Sequence, residues 1–324
     1  MLNKPRILVV SPASSASNNG NWHTAQRWAG FLAARYHVGI TTTWTCASPP
    51  PDALIALHAR RSADSIAAYA DTGRPLVVVL TGTDLYRDIR DDDNARRSLE
   101  LAHTLVLLQD AGLSELPEAL RRKAVVIYQS APALPPQLAD NTVFDVLMVG
   151  HLRAEKDPLT FMQAAMQASA PGLRFTQVGG ALDDSLARQA GATAARCARY
   201  RWLGAIAHDA TRALLARSQL LVVPSVMEGG ANVIVEAVTS GVPVLASDIS
   251  GNRGMLGSDY AGYFPVGDAG ALARLVERVA TRPDFDRLLR EQCAARLPRF
   301  APEREEAAVL RLMDNALTQK RTNP

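Results

Sequence analysis

The stretch PSVMEGGANVIVEAVTSGVPVLASD, residues 224 to 248, places two glutamates, Glu228 and Glu236, eight positions apart with Gly229 and Gly230 between them. It follows QLLVV (219 to 223), an apolar run that reads as a buried strand ended by Pro224. The glycine pair lets bare backbone amides approach a ligand past Ala231, and Asn232 is placed to cap the helix VIVEAVTSG. The first turn of a helix offers unpaired N–H groups and a partial positive charge, which is how a diphosphate is held without a metal. Glu236, one turn into that helix, is placed to accept hydrogen bonds from a ribose diol, and Glu228 from a sugar hydroxyl. The competing explanation is that Glu236 complements the helix dipole while Glu228 is a solvated loop residue. The glycines and the helix start between the two acids weigh against it.

A second cluster lies in VGHLRAEKDP (149 to 158), where Arg153 and Lys156 sit three apart just before a helix that starts near Pro158. Cations are unfavourable at a helix start unless an anion joins them, so both are placed to converge on the same diphosphate. Negative charge developing on a departing group would be stabilised there.

Two N-terminal loops offer a further polar set. NNGNWHTAQRW (18 to 28) joins a strand to a helix and carries Asn19, Gly20, Asn21, His23, Thr24 and Arg27 on or near the first turn, a second anion pocket. LTGTDLYRD (80 to 88) follows another strand and adds Thr81, Gly82, Thr83 and Asp84. Ordinary strand-to-helix turns would use the same residue types, but loops at strand ends carry function disproportionately. Other features are set aside. DDD (91 to 93) is not at a strand end, and His58, His103 and His208 share no metal-ligand spacing, so no metal site is expected. NNGN lacks the spaced glycines of a dinucleotide fingerprint.

The elements that must position these residues are α/β. Apolar runs at 6–10, 53–58, 75–80, 104–108, 124–128, 144–149, 173–178, 219–223 and 243–247 alternate with segments of helical period, the pattern of strands buried on both faces of a parallel sheet. One helix spans 22–35, with Ala25, Trp28, Ala29 and Leu32 on one stripe. The composition breaks once, at the proline-rich APALPPQLADN (131 to 141), a stiff linker between two bodies. The chain then restarts with the same strand, loop and helix plan. Two doubly wound, Rossmann-like domains follow, 1–135 and 142–300, facing each other across a cleft, with a last helix from Pro302.

With 324 residues, 48% hydrophobic and 21% charged, the composition is that of a globular enzyme. The net charge of +3 is scattered, so neither a nucleic-acid arm nor a polybasic membrane patch is present. Three cysteines without paired spacing suit a reducing cytoplasm, and no apolar run reaches the ~18 residues of a membrane span.

Three segments together carry a family resemblance. The 224–251 stretch is similar to the donor-site signature of glycosyltransferase family 4, VGHLRAEKDP resembles that group's donor-diphosphate loop, and RYRWLGAI (199 to 206) resembles the segment whose backbone meets the nucleotide base. The resemblance implies a GT-B fold, a UDP-sugar co-substrate bound mainly by the C-terminal domain, no cofactor or obligate metal, and a C-terminal helix (301–324) that crosses back to the N-terminal domain. It assigns Lys156 to the diphosphate, Glu236 to the ribose, Glu228 to the sugar and Leu203 to the base. His151 stands where many relatives carry arginine, so Arg153 is expected to take over that contact. Many retaining relatives also carry a histidine-containing motif in a loop such as LTGTDLYRD, and this chain has none there.

The N-terminal loops, the short chain and VIYQSA (126 to 131) in place of an asparagine–glycine turn resemble the selenosugar synthase branch of selenoneine biosynthesis. That implies selenophosphate as acceptor, N-acetylglucosamine or glucose as the sugar, and Asn19 to Arg27 with Thr81 to Asp84 as the acceptor pocket. An acceptor that is already anionic with a soft nucleophile needs positioning rather than a strong base. Two readings stay open beside it: transfer to a hydroxyl of a sugar or lipid, for which Asp84 is the candidate base, and a non-catalytic nucleotide-sugar binder.

Overall fold

All nine apolar runs form strands in the structure, a computed structural model that describes residues 4–14, 19–134 and 142–322. Residues 135–141 of the expected linker, and Asn18 of the first polar loop, lie outside the described residues. The first sheet holds β1 (Arg6–Val10), β2 (His37–Thr41), β3 (Ala53–Leu57), β4 (Leu76–Leu80), β5 (Thr104–Leu107) and β6 (Ala124–Val126), in the order β2-β1-β3-β4-β5-β6. The second holds β7 (Phe144–Val149), β8 (Leu173–Val178), β9 (Tyr200–Trp202), β10 (Leu220–Val223), β11 (Val244–Ser247) and β12 (Tyr263–Phe264), in the order β12-β11-β10-β7-β8-β9. Every pairing is parallel, with Leu54 opposite Leu76 and Val146 opposite Phe175, for example.

Three strands were not anticipated. β2, HVGIT, is an edge strand whose residues are at least partly exposed, so it lacks the apolar run that marks a central strand. β9 and β12 have three and two residues, too few to show a period.

Alternation along the first sheet builds two cores. Ile7, Val9, Ile55, Leu57, Val77 and Val79 point to one face and pack with Trp28 and Leu32 of the helix Gly20–Leu32. Val309 and Met313 of the helix Pro302–Thr322 complete that layer. Leu54, Ala56, Leu76, Val78 and Leu80 point the other way, against Ile66, Tyr69 and Leu99. Each large side chain so buried contributes about 1.5–3 kcal/mol, which is why these strands read as unbroken hydrophobic runs.

By contacts the chain forms two units, one of residues 1–129, 228–230 and 301–324, the other of 130–227 and 231–300. The first unit is therefore assembled from three separate stretches of sequence. In each sheet the strand order reverses once, beside β1 in the first and between β7 and β10 in the second, and crevices at such points are where open α/β sheets bind ligands.

Candidate functional site

In the second unit the strand ends beside the switch point carry most of the residues expected to hold a donor. After β7 the chain runs through Gly150 and His151 to a short turn, Ala154–Lys156, and then to the helix Pro158–Gln167. Asp157 starts that helix in the left-handed region (φ 44°), and its carboxylate accepts from the Thr160 amide at 3.3 Å. The loop is braced from both sides. His151 Nδ1 accepts from the Gly180 amide at 3.1 Å, so the proton of the neutral ring sits on Nε2. The Val226 amide, just after β10, donates to the Glu155 carbonyl at 3.0 Å and ties the two strand-end loops together. Gly179 (φ 145°) leaves no room for a side chain, because a Cβ there would overlap the Gly150 carbonyl. Arg153 and Lys156 flank this braced turn and are both half-buried.

The helix of the opening stretch runs Asn232–Thr239, one residue later than a cap at Asn232 requires. Ala231 occupies the capping position, and no side chain caps it. Asn232 is thus the first helical residue, a correction that leaves the capping position without a side-chain oxygen. Glu236 lies one turn on, with 12% of its side chain exposed, and its Oε1 is 2.8 Å from His208 Nε2 at the start of the helix His208–Arg217. His208 was missed because the two residues are 28 positions apart and only the packing of their helices brings them together.

Leu203, after β9, is exposed, and its amide donates to the Gln177 carbonyl at 2.9 Å. That amide continues the sheet ladder and is not open to a ligand. Trp202 Nε1 donates to the Gly179 carbonyl at 2.8 Å and pins this segment to the end of β8.

Glu228, Gly229 and Gly230 group with the first unit. Glu228 is buried. A Cβ on Gly229 would stand 2.5 Å from the Thr81 carbonyl oxygen, and one on Gly230 would stand 2.6 Å from Leu108 Cβ. The pair therefore has a packing reason to be glycine that the sequence reading did not supply.

The residues expected to hold an acceptor follow β1 and β4 of the first unit, but several of their groups already have partners. Asn19 Oδ1 accepts from the amides of Asn21 and Trp22 at 3.1 and 3.2 Å, so the helix Gly20–Leu32 caps its own first turn. The expectation of an open amide pocket there is corrected accordingly. Thr24 is buried, giving its hydroxyl proton to the Gly20 carbonyl and accepting from Gln129 Nε2. Arg27, expected to face an anion, instead holds Glu305 through Nε at 2.7 Å and Nη2 at 3.2 Å. Asp84, the candidate base, is fully buried; Oδ1 accepts from the amides of Thr81 and Gly82 at 2.9 and 2.8 Å, and Oδ2 from that of Ala59 at 3.0 Å. Its carboxylate shapes the loop. Thr81 and Thr83 remain half-buried with Gly82 (φ 150°) between them.

One group that sequence reasoning discarded enters here. His58, at the end of β3, is buried with a left-handed backbone (φ 72°), and its Nε2 lies 3.0 Å from Thr83 Oγ1. Burial pushes its pKa below the ordinary histidine value, against the opposing pull of the Asp84 carboxylate. Among the described residues no group of three or more His, Cys, Asp or Glu side chains is placed to hold a metal ion. No described helix is long and apolar enough to cross a membrane.

The family of glycosyl transferases group 1 matches residues 133–296, half of the chain, a span that includes both strand-end loops and the 228–236 segment. The chain belongs to that family. HepE from Anabaena, solved with UDP and glucose, resembles this glycosyltransferase with a TM-score of 0.77 and 17% identity, over 96% of this chain and 100% of that one. A sucrose-phosphate synthase from Thermosynechococcus elongatus gives 0.75 and 17%, over 98% and 100%. A UDP-forming α,α-trehalose-phosphate synthase from Burkholderia vietnamiensis gives 0.67 and 15%, over 83% and 76%. At such identities the likeness is one of fold, and with the two six-stranded parallel sheets it makes this glycosyltransferase a GT-B protein.

Proposed function

We propose that this glycosyltransferase transfers N-acetylglucosamine or glucose from a UDP-sugar to selenophosphate, giving a 1-selenosugar, UDP and phosphate. Selenium's lone pair forms the bond to the anomeric carbon as the carbon–oxygen bond to UDP breaks, its electron pair leaving on the diphosphate. Water then cleaves the phosphorus–selenium bond and releases phosphate and the selenol.

The donor half is supported by the family and by the braced loop carrying Arg153 and Lys156 beside the uncapped start of the helix Asn232–Thr239. Two cations and the first-turn amides of a helix suit a diphosphate leaving group without a metal. Glu236, held by His208, suits the ribose diol, and Glu228 the sugar; HepE, a structural neighbour, was solved with UDP-glucose. The acceptor half is carried by one observation. Asp84, the carboxylate the sequence offers as a base for a hydroxyl acceptor, is buried under three amides, which favours a nucleophile that arrives already ionised. The resemblance of the N-terminal loops and residues 126–131 to selenosugar synthases names selenophosphate as that nucleophile.

The test is incubation with a panel of UDP-sugars, with and without selenophosphate, read by UDP release and by mass spectrometry. A selenium isotope pattern on the sugar is expected. UDP release that needs a sugar or lipid hydroxyl and ignores selenophosphate would overturn the acceptor assignment and keep the donor one.

A further inference from the structure

The end of β3 and the loop after β4 share a buried polar cluster that the reaction as proposed does not yet use. His58 adopts φ 72°, a left-handed region that is unfavourable for a non-glycine residue. The surroundings hold it there: its amide donates to the Val79 carbonyl at 2.8 Å, and its carbonyl accepts from the Ser62 amide at 3.1 Å. The left-handed turn swings the ring from β3 toward the residues that follow β4. There a wide turn, Asp84–Asp88, sets two carboxylates on the histidine's side, Asp84 Oδ2 at 4.0 Å from Nδ1 and Asp88 Oδ2 at 3.9 Å from Nε2. Arg60 and Arg61 complete the charged surroundings. Asp88 Oδ2 is buried and accepts no hydrogen bond.

Geometry fixes the tautomer. The Arg61 amide donates to His58 Nδ1 at 3.2 Å, so Nδ1 offers its lone pair and the ring proton lies on Nε2. The atom within hydrogen-bonding distance of Nε2 is Thr83 Oγ1, at 3.0 Å, while both carboxylates lie beyond that range. Thr83 therefore accepts from the histidine, and its own proton must point elsewhere. Thr83 is half-buried where His58 is buried, so the accessible side of the loop is open to that proton.

We propose that His58 is a positioning residue for the acceptor: its Nε2–H occupies a lone pair of Thr83 Oγ1 and presets the Thr83 hydroxyl as a donor to an anionic acceptor group. This rests on the acceptor reading above. It also gives the loop 80–88, which carries no histidine of its own, a histidine acting on it from the neighbouring strand.

The test measures UDP release against selenophosphate and UDP-sugar concentration for His58→Ala, His58→Gln, Thr83→Val and the double variant His58→Ala with Thr83→Val. Losing a hydroxyl donor to an anion should raise the acceptor KM about tenfold or more in Thr83→Val, and losing only its orientation about three- to tenfold in His58→Ala. The donor KM stays put. The double variant should be no worse than Thr83→Val, because both act through one hydroxyl, and His58→Gln, whose amide can donate to the same oxygen, should recover most of the loss. Imidazole nitrogen NMR on the wild-type chain gives a second reading that needs no variant to fold, and the neutral ring should be protonated at Nε2. A ring protonated at Nδ1, or an active wild type whose His58→Ala variant keeps both KM values, overturns the role of His58 while leaving the acceptor reading intact. Wild-type protein with the Nε2–H ring and no turnover of selenophosphate overturns the acceptor reading and this role with it.

Discussion

Arg27→Ala separates two roles that a single arginine could hold. Glu305, on the helix Pro302–Thr322, has 0% of its side chain exposed and accepts from Arg27 Nε at 2.7 Å, Arg27 Nη2 at 3.2 Å and Trp28 Nε1 at 2.7 Å. Removing the guanidinium leaves a buried carboxylate without its counter-charge, a change that typically costs about 3–5 kcal/mol. Arg27 itself is 18% exposed, so water reaches the gap and the low end applies, about 3 kcal/mol. In a unit of this size that is a fall of about 6–12 °C in melting temperature, at about 2–4 °C per kcal/mol. Thermal unfolding followed by tryptophan fluorescence measures it. The variant pairing Arg27→Met with Glu305→Leu should recover most of the loss, since neither charge is then buried alone. Below its melting transition Arg27→Ala should hold the acceptor KM within about twofold of wild type, because the guanidinium is already engaged. An unchanged melting temperature together with an acceptor KM raised many-fold would refute this reasoning and return Arg27 to the acceptor pocket.

Three other outcomes follow from the same geometry. Gly229→Ala should lower stability by about 1–3 kcal/mol, since its Cβ meets the Thr81 carbonyl, while Gly191→Ala, mid-helix with nothing within 4 Å, should raise it by about 0.5–1 kcal/mol; urea unfolding reads both. His208→Ala should raise the UDP-sugar KM several-fold and leave the acceptor KM unchanged, whereas Glu236→Ala should raise the donor KM further; steady-state kinetics with each substrate varied separates them. His58, whose pKa burial lowers, should make the fold less stable as pH falls below about 6.5, because the unfolded chain then takes up a proton that the folded one refuses. His58→Gln should flatten that slope between about pH 6.5 and 5 in urea titrations.

The fold was largely legible because strands buried on both faces leave continuous valine, isoleucine and leucine runs, and all nine such runs are strands. β2 was not legible because an edge strand with Gly39 and partly exposed neighbours resembles a loop. The place of Glu236 one turn into a helix and the strand-end loop after β7 were readable from local spacing alone. The pairs that decide how the groups are held were not: Glu236 with His208, Arg27 with Glu305 and His58 with Thr83 are joined by packing between distant segments. Two corrections had a local signal. Asn19 lies two and three residues before the amides it caps, and Asp84 two and three residues after those it binds, so the competition of short polar side chains for nearby backbone was open to inspection in the sequence.

The division of the chain also bears on synthesis. A ribosome that has delivered residues 1–129 has made every strand of the first sheet but neither Glu305 nor Val309 and Met313, so Trp28 must wait, unroofed, until residues 301 onward emerge. Excising that leading portion as a stand-alone fragment should yield a sticky, half-finished body, and supplying residues 301–322 as a separate peptide should mend it.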